Sequence, residues 1–168
     1  MPELTTPREL FLHELGDILY VERKLSDEVL PKLIGEVSDE EFRSGLESHL
    51  EQTRKHVANV EQVFEIFGEE PKAEKCVAFE GLKQEHDQMV EETSSSLIDI
   101  VDVGAAARTE NYEIAAYEGL RRMAKALRED KAVDLLDQNL KQEKETLREV
   151  EKIATRLSNE TAKQPSAA

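Results

Sequence analysis

Residues 103–127 read VGAAARTENYEIAAYEGLRRMAKAL. Val103, Ala106, Glu110, Glu113, Tyr117, Leu120, Ala124 and Leu127 recur at alternating spacings of three and four, so a helix carries all eight on one face. Two of the eight are carboxylates, one turn apart, in a row of otherwise core-forming residues. A buried unpaired carboxylate is costly and must either shift its pKa or find a partner. One cation can neutralise several such groups at once. The stretch therefore predicts a long helix with an apolar face and a candidate metal-binding helical bundle.

Three more long segments have the same character. The first starts after Thr5 or Thr6, with Pro7 in its first turn and Glu9 completing a capping box. Its stripe is Phe11, Leu15, Ile18, Glu22, Leu25 and Val29; Pro31 predicts a kink or early end, and Gly35 a C-terminal cap. The second opens at Ser38-Asp39-Glu40-Glu41, read as another capping box. It runs through Phe42, Leu46, His49, Thr53, His56, Val60, Val63 and Phe67 and ends at Gly68–Pro71. A shorter helix is expected over 73–92, broken by Thr93-Ser94-Ser95-Ser96. The third long helix begins near Asp99 or Asp102. After a tight turn at Glu129-Asp130, with Asp130 as N-cap, the fourth carries Val133, Leu136, Leu140, Glu143, Leu147, Val150, Ala154 and Leu157.

Two helical hairpins are thus joined by a connection of roughly 30 residues that is itself partly helical. The fold expected is all-α: a ferritin-like four-helix bundle with one long crossover between the second and third long helices. Residues 1–157 form a single domain and 158–168 a flexible C-terminal tail.

Composition agrees with this reading. The chain has 168 residues, 39% hydrophobic and 35% charged, with no Trp and seven Gly, which suits long helices and one sizeable core. Thirty-seven acidic residues against twenty-two basic ones leave a net charge of −15, which argues against nucleic acid or an anionic membrane as partner. A single cysteine, Cys76, precludes an intramolecular disulfide, and no apolar run approaches the ~20 residues of a membrane span. The N-terminus lacks the features of a signal peptide, so a cytoplasmic location is expected.

The polar residues on the four stripes are Glu22; His49, Thr53 and His56; Glu110, Glu113 and Tyr117; and Glu143. Folding each hairpin at its loop sets Glu22 level with the stretch between His49 and His56. It also sets Glu113 and Glu110 opposite about positions 146 and 149, with Glu143 one turn nearer the loop beside Tyr117. A shared layer of carboxylates and imidazoles suits a divalent cation, Fe or Mn foremost and two ions if paired, with Zn or Mg also compatible. The metal candidates are Glu22, His49, His56, Glu110, Glu113 and Glu143. The usual two-metal template pairs single glutamates with Glu-x-x-His motifs. Here Thr146 follows Glu143 where His is expected, and the third helix offers Glu110-x-x-Glu113 instead. Plainer alternatives are a widened seam through which Glu110 and Glu113 reach solvent or an arginine, and histidines that are hydrogen-bonded core residues. Tyr117 is expected to support a neighbouring carboxylate, Thr53 to be structural, and Glu51 to point away. His13 and His86 have no comparable setting, and Cys76 is read as a small buried hydrophobe.

Several stretches resemble the YciE/YciF family of ferritin-like stress proteins: Tyr20–Leu25, His49–Thr53, Glu61–Phe64, Glu80–Leu82, Glu143-Lys144 and, most specifically, Glu110–Tyr117. The resemblance covers about residues 7–157. It implies a rubrerythrin- or ferritin-like bundle, usually dimeric, with a candidate two-metal site and a role in oxidative or general stress. The resemblance implies no established reaction; if the protein is an enzyme, a carboxylate-bridged pair of Fe or Mn ions is expected to consume peroxide, as in rubrerythrin or manganese catalase. Family members often carry an acid where this chain has Gln52, whose role would pass to His49 or His56. The alternative is a non-catalytic structural or interaction homodimer with a vestigial or single-ion site, joined through crossover residues such as Phe79, Met89 and Val90.

Overall fold

The computed structural model describes residues 3–163. It contains α1 (Pro7–Lys24), a π-helical turn (Leu25–Val29), α2 (Leu30–Glu36), α3 (Glu40–Ile66), α4 (Val77–Glu92), α5 (Ile98–Ala126) and α6 (Asp130–Thr161). A single 3₁₀ turn, Ser95–Leu97, leads into α5. The fold is the expected all-α, ferritin-like four-helix bundle. α1 lies against α3 and α5, and α6 against the same two, so each long helix has two long neighbours.

Polar contacts at the ends set the helix directions. Arg8, at the start of α1, donates to the Phe67 carbonyl at 2.7 Å, just past the end of α3. Arg156, near the end of α6, donates to Asp39 Oδ1 at 2.7 Å, the N-cap of α3. Asp99, in the first turn of α5, accepts from the Ser38 and Asp39 N–H groups at 3.1 and 2.9 Å. The start of α5 therefore lies beside the start of α3, at the far end from where α3 stops. Adjacent long helices run antiparallel, and the connection between α3 and α5 must climb the full bundle. The crossover performs that climb, with α4 packed on α5.

Proline 31 does not end the first helix. The chain passes it through the π turn, where the Leu30 N–H donates to Leu25 O five residues back. Widening the turn just before a proline moves aside the carbonyls that its ring would strike. The extra residue also advances the helical phase, so Leu30 is buried where the stripe placed Val29, and Ser26 joins the interior. Gly35 is internal to α2, which stops on extended Val37, a buried residue whose N–H donates to Leu33 O.

Other boundaries move for local reasons. Asp39 alone caps α3, accepting from the Phe42 N–H. The crossover helix starts at Val77 rather than near 73, because residues 72–74 dock on α1 in extended form, with the Glu74 N–H donating to Gly16 O at 3.0 Å. A Cβ on Gly16 would lie 2.9 Å from Lys72 O, so only glycine permits this approach. Asp99 caps the α2–α3 loop rather than its own helix, which begins at Ile98. Glu129, not Asp130, stands at the N-cap of α6. That last helix continues to Thr161, past the expected limit at 157, and 164–168 lie outside the described residues. Phe79 packs into the core and is unavailable to a partner, whereas Val77 is 79% exposed and Met89 42%.

Two of the long helices, α3 and α5, end in a Schellman turn. After α3, Glu69 N–H donates to Phe64 O and Gly68 N–H to Glu65 O, with Gly68 at φ 72°. After α5, Glu129 N–H donates to Ala124 O and Arg128 N–H to Lys125 O, with Arg128 at φ 63°. A side chain in that left-handed conformation costs about 1 kcal/mol. Arg128→Gly is therefore expected to raise stability by roughly 0.5–1 kcal/mol, read as a higher midpoint in urea unfolding at unchanged slope. A lower midpoint would contradict this account of the turn.

Candidate metal centre

Four helices each bring polar side chains to one layer of the core. Glu22 comes from α1, one turn before the π turn. His49 and His56 stand two turns apart on α3, Glu110 and Glu113 one turn apart on α5, and Glu143 on α6. All six are at least nine-tenths buried, and Glu22, His56, Glu113 and Glu143 are completely so.

Their donor atoms form two overlapping groups. One atom from each of His49, Glu110, Glu113 and Glu143 lies within 4.8 Å of the others, and so does one from each of Glu22, His56 and Glu143. Ligands around one ion with ~2.1 Å bonds are at most ~4.2 Å apart, so small side-chain closure would complete either group. Glu143 belongs to both groups. Four glutamates balance two divalent cations, and two imidazoles add neutral nitrogen donors.

Hydrogen bonding leaves much of this cluster unsatisfied. Both Glu113 oxygens, both Glu143 oxygens, Glu22 Oε2 and Glu110 Oε2 are buried without a hydrogen-bond partner. Native cores rarely leave such groups alone, since each costs about 1–3 kcal/mol. Most of the pairing is at the Glu22 end. Tyr117 donates its hydroxyl to Glu22 Oε1. His56 Nδ1 lies 2.8 Å from Glu143 Oε1 and 3.4 Å from Glu22 Oε1, at ion-pair distance but without the alignment of an N–H···O bond. At the other end His49 Nε2 is 3.2 Å from Glu110 Oε1.

Protonation follows from burial and neighbours. Burial, then the Glu143 charge, holds the Glu110 carboxyl well above the usual carboxylate range. Burial, with Glu143, Glu22 and Glu110 adding to it, does the same to Glu113. Burial also raises Glu22, against the opposing pull of His56. Glu143 alone goes down, because its contact with His56 outweighs burial. Burial disfavours a charged His56, yet Glu22 and Glu143 overcome it and push the imidazole up to about 11. Burial lowers His49, keeping a neutral imidazole suited to ligation. Without cations, then, the cluster holds protons that cations would displace.

The six candidates named from sequence are thus brought together. Tyr117 supports Glu22 as expected, Thr53 is buried and donates to the His49 carbonyl at 3.0 Å, and Glu51 is exposed. Sequence reasoning misses a supporting layer. Asn139, fully buried four residues before Glu143, donates to Tyr117 Oη at 3.0 Å and to the His56 carbonyl at 3.3 Å. Gln142 Oε1 meets His56 Nε2 at 2.8 Å, and Gln52 Oε1 accepts from Thr146 at 3.3 Å. Asn139 lies beside Leu140 on the stripe, and its i−4 relation to Glu143 is the one signal that points to it. His86, given no setting from sequence, pairs at 2.7 Å with buried Asp102, whose contact raises its pKa. Cys76 is buried as expected, and its Sγ also meets the Tyr112 hydroxyl at 2.9 Å.

A four-helix bundle with one long crossover and a mid-core layer of carboxylates and histidines is a ferritin-like protein whose buried acidic and imidazole groups can hold metal. Residues 6–163 match the family of domains of unknown function designated DUF892, and the chain belongs to it. It is 34% identical over 145 residues to protein YciF of Escherichia coli strain K12, covering 85% of this chain and 87% of that one. The crystal structure of that E. coli stress protein superposes with a TM-score of 0.86 at 33% identity, over 93% of this chain and 99% of that one. YcfI of Rhodopseudomonas palustris, to which a structural role has been ascribed, gives 0.85 at 35% identity, covering 89% and 95%. Among the described residues no helix is long and apolar enough to cross a membrane.

Proposed function

We propose that this protein binds two divalent cations, Fe or Mn, in the layer formed by Glu22, His49, His56, Glu110, Glu113 and Glu143. In this reading it serves in a stress response, as a cytoplasmic homodimer. The observation that carries the metal assignment is Glu113, a fully buried carboxylate with neither oxygen hydrogen-bonded. Every other member has at least one polar neighbour in ion-pair or hydrogen-bond reach; Glu113 has a rationale only as a ligand. The stress role rests on the relative described as a stress protein.

When bound, Fe or Mn ions supply Lewis acidity and redox capacity, which makes peroxide the substrate to test. The chain's own part is to exclude bulk water, to hold Glu22 through Tyr117 and Asn139, and to orient His56 through its Nε2 contact with Gln142, leaving Nδ1 facing the site. A non-catalytic reading has one observation in its favour. Tyr117 and His56 already neutralise the Glu22 end without a cation, which would suit a single ion beside Glu113.

Elemental analysis of metal-replete protein tests the assignment. Two Fe or Mn per chain are expected, falling to none in Glu110→Ala/Glu113→Ala. Equal metal in both proteins refutes the centre. Peroxide consumption lost in Glu113→Ala supports catalysis, and metal loading without turnover leaves the structural reading.

A further inference from the structure

A cavity of about 480 Å³ runs from the surface to the edge of the metal layer. Buried Leu30, Phe42, Leu46, Phe79, Val150 and Ile153 form much of its wall. Its polar end is formed by His49, Gln52, Glu110 and Thr146, and Glu110 Oε2 there has no hydrogen-bond partner. Exposed Gly45, Ser48, Arg148 and Glu149 line one mouth between α3 and α6, and exposed Glu28, Lys32, Lys83 and Asp87 line a second, charged mouth between α2 and α4. Ala106 belongs to the core stripe of α5 yet is only half-buried, because it faces this space.

Water fills such a space poorly, since aliphatic and aromatic walls offer it few partners. A void left empty forfeits the contacts of its lining. Its size is that of a small-molecule site, with an inner wall that is mostly apolar, polar groups converging at the metal end, the His86–Asp102 pair also in the lining, and charged residues at its mouths. We infer that the cavity binds a linear alkyl chain ending in an oxygen function, with the chain between Leu46, Phe79 and Ile153 and the oxygen at His49, Glu110 and the metal they would hold. The polar end of this inference rests on the metal-centre reading; the apolar wall does not. Gln52 and Thr146 stand beside that oxygen and select for a hydrogen-bonding head. A carboxylate, an alcohol and an aldehyde share this chemistry.

The test uses metal-replete full-length chain titrated with octanoate, decanoate, dodecanoate, dodecanol and dodecanal. Affinity is expected to rise about fourfold per methylene from eight to twelve carbons. The preferred head among the twelve-carbon probes identifies the source. Ala106→Phe, which fills the inner wall, and Gly45→Phe, which projects into the cavity from its α3–α6 mouth, are each expected to lower dodecanoate affinity at least tenfold while metal content stays unchanged. Affinity independent of chain length, or wild-type affinity in both variants, overturns the assignment. Failure of the metal reading looks different: protein devoid of metal that still binds by chain length keeps the cavity and removes the centre.

Discussion

Glu113→Leu is expected to stabilise the metal-free protein while abolishing its metal binding. The wild-type carboxyl is unpaired and fully buried, and burial first, then repulsion from Glu143, Glu22 and Glu110, holds it well above its ordinary pKa. Leucine fits the volume, adds apolar contact and leaves no unsatisfied oxygen. Removing one such group is worth on the order of 1–3 kcal/mol, and a chain of this length gains about 2–4 °C in Tm per kcal/mol. Calorimetry on chelator-treated wild type and variant reads the rise, and elemental analysis reads the loss of metal. Activity traded for stability in this way marks a residue kept for function rather than packing. A variant less stable than the metal-free wild type would show that Glu113 has a structural partner after all.

The second large effect is the pH dependence of metal stabilisation. Glu110 and Glu113 have folded-state pKa values raised above 4.5, so their contribution to metal-free stability is complete below pH 4.5 and lost as pH rises through the raised values. His56, raised from 6.5 to about 11, contributes fully below 6.5 and loses that contribution on the way to 11. Glu143 is lowered and has the opposite sign, but its loss falls below pH 4.5, outside the neutral range. Cations replace the displaced protons and bind better as pH rises. The Tm difference between loaded and metal-free protein should therefore widen from pH 5 to pH 8. Ions at a hundredfold excess over their Kd add about 2.7 kcal/mol per site. Surface carboxylates titrate alike in both forms and cancel in the difference. A gap that is constant or narrows with pH would contradict proton displacement at these glutamates.

Much of the site is legible in the order of residues. Glu110 and Glu113 stand out because helical periodicity is a local property, and a carboxylate in an apolar row departs from it visibly. Glu22, His49, His56 and Glu143 follow by the same comparison, and antiparallel hairpins with short loops set them level. The supporting residues are less visible. Asn139 and Gln142 are ordinary on a helix surface, and only the approach of α6 to α3 and α5 turns them toward His56 and Tyr117. Asp102 and His86 lie on α5 and α4, whose packing depends on how the crossover climbs. The π turn has no sequence signal of its own. Pro31 marks a break equally well, and backbone bonding alone shows which solution the chain takes.

Residue order is enough to specify the helices, the two hairpins, the long crossover and the six polar residues facing inward. Each of these depends on neighbours within a turn or a loop. Packing between helices decides the rest: that Glu143 is shared between two donor groups, that Glu113 is left without a partner, and that an apolar cavity reaches Glu110. Those are distances between helices. They are set by how Phe42, Leu46, Leu136 and their neighbours interlock across the core, and no spacing along one chain segment contains them.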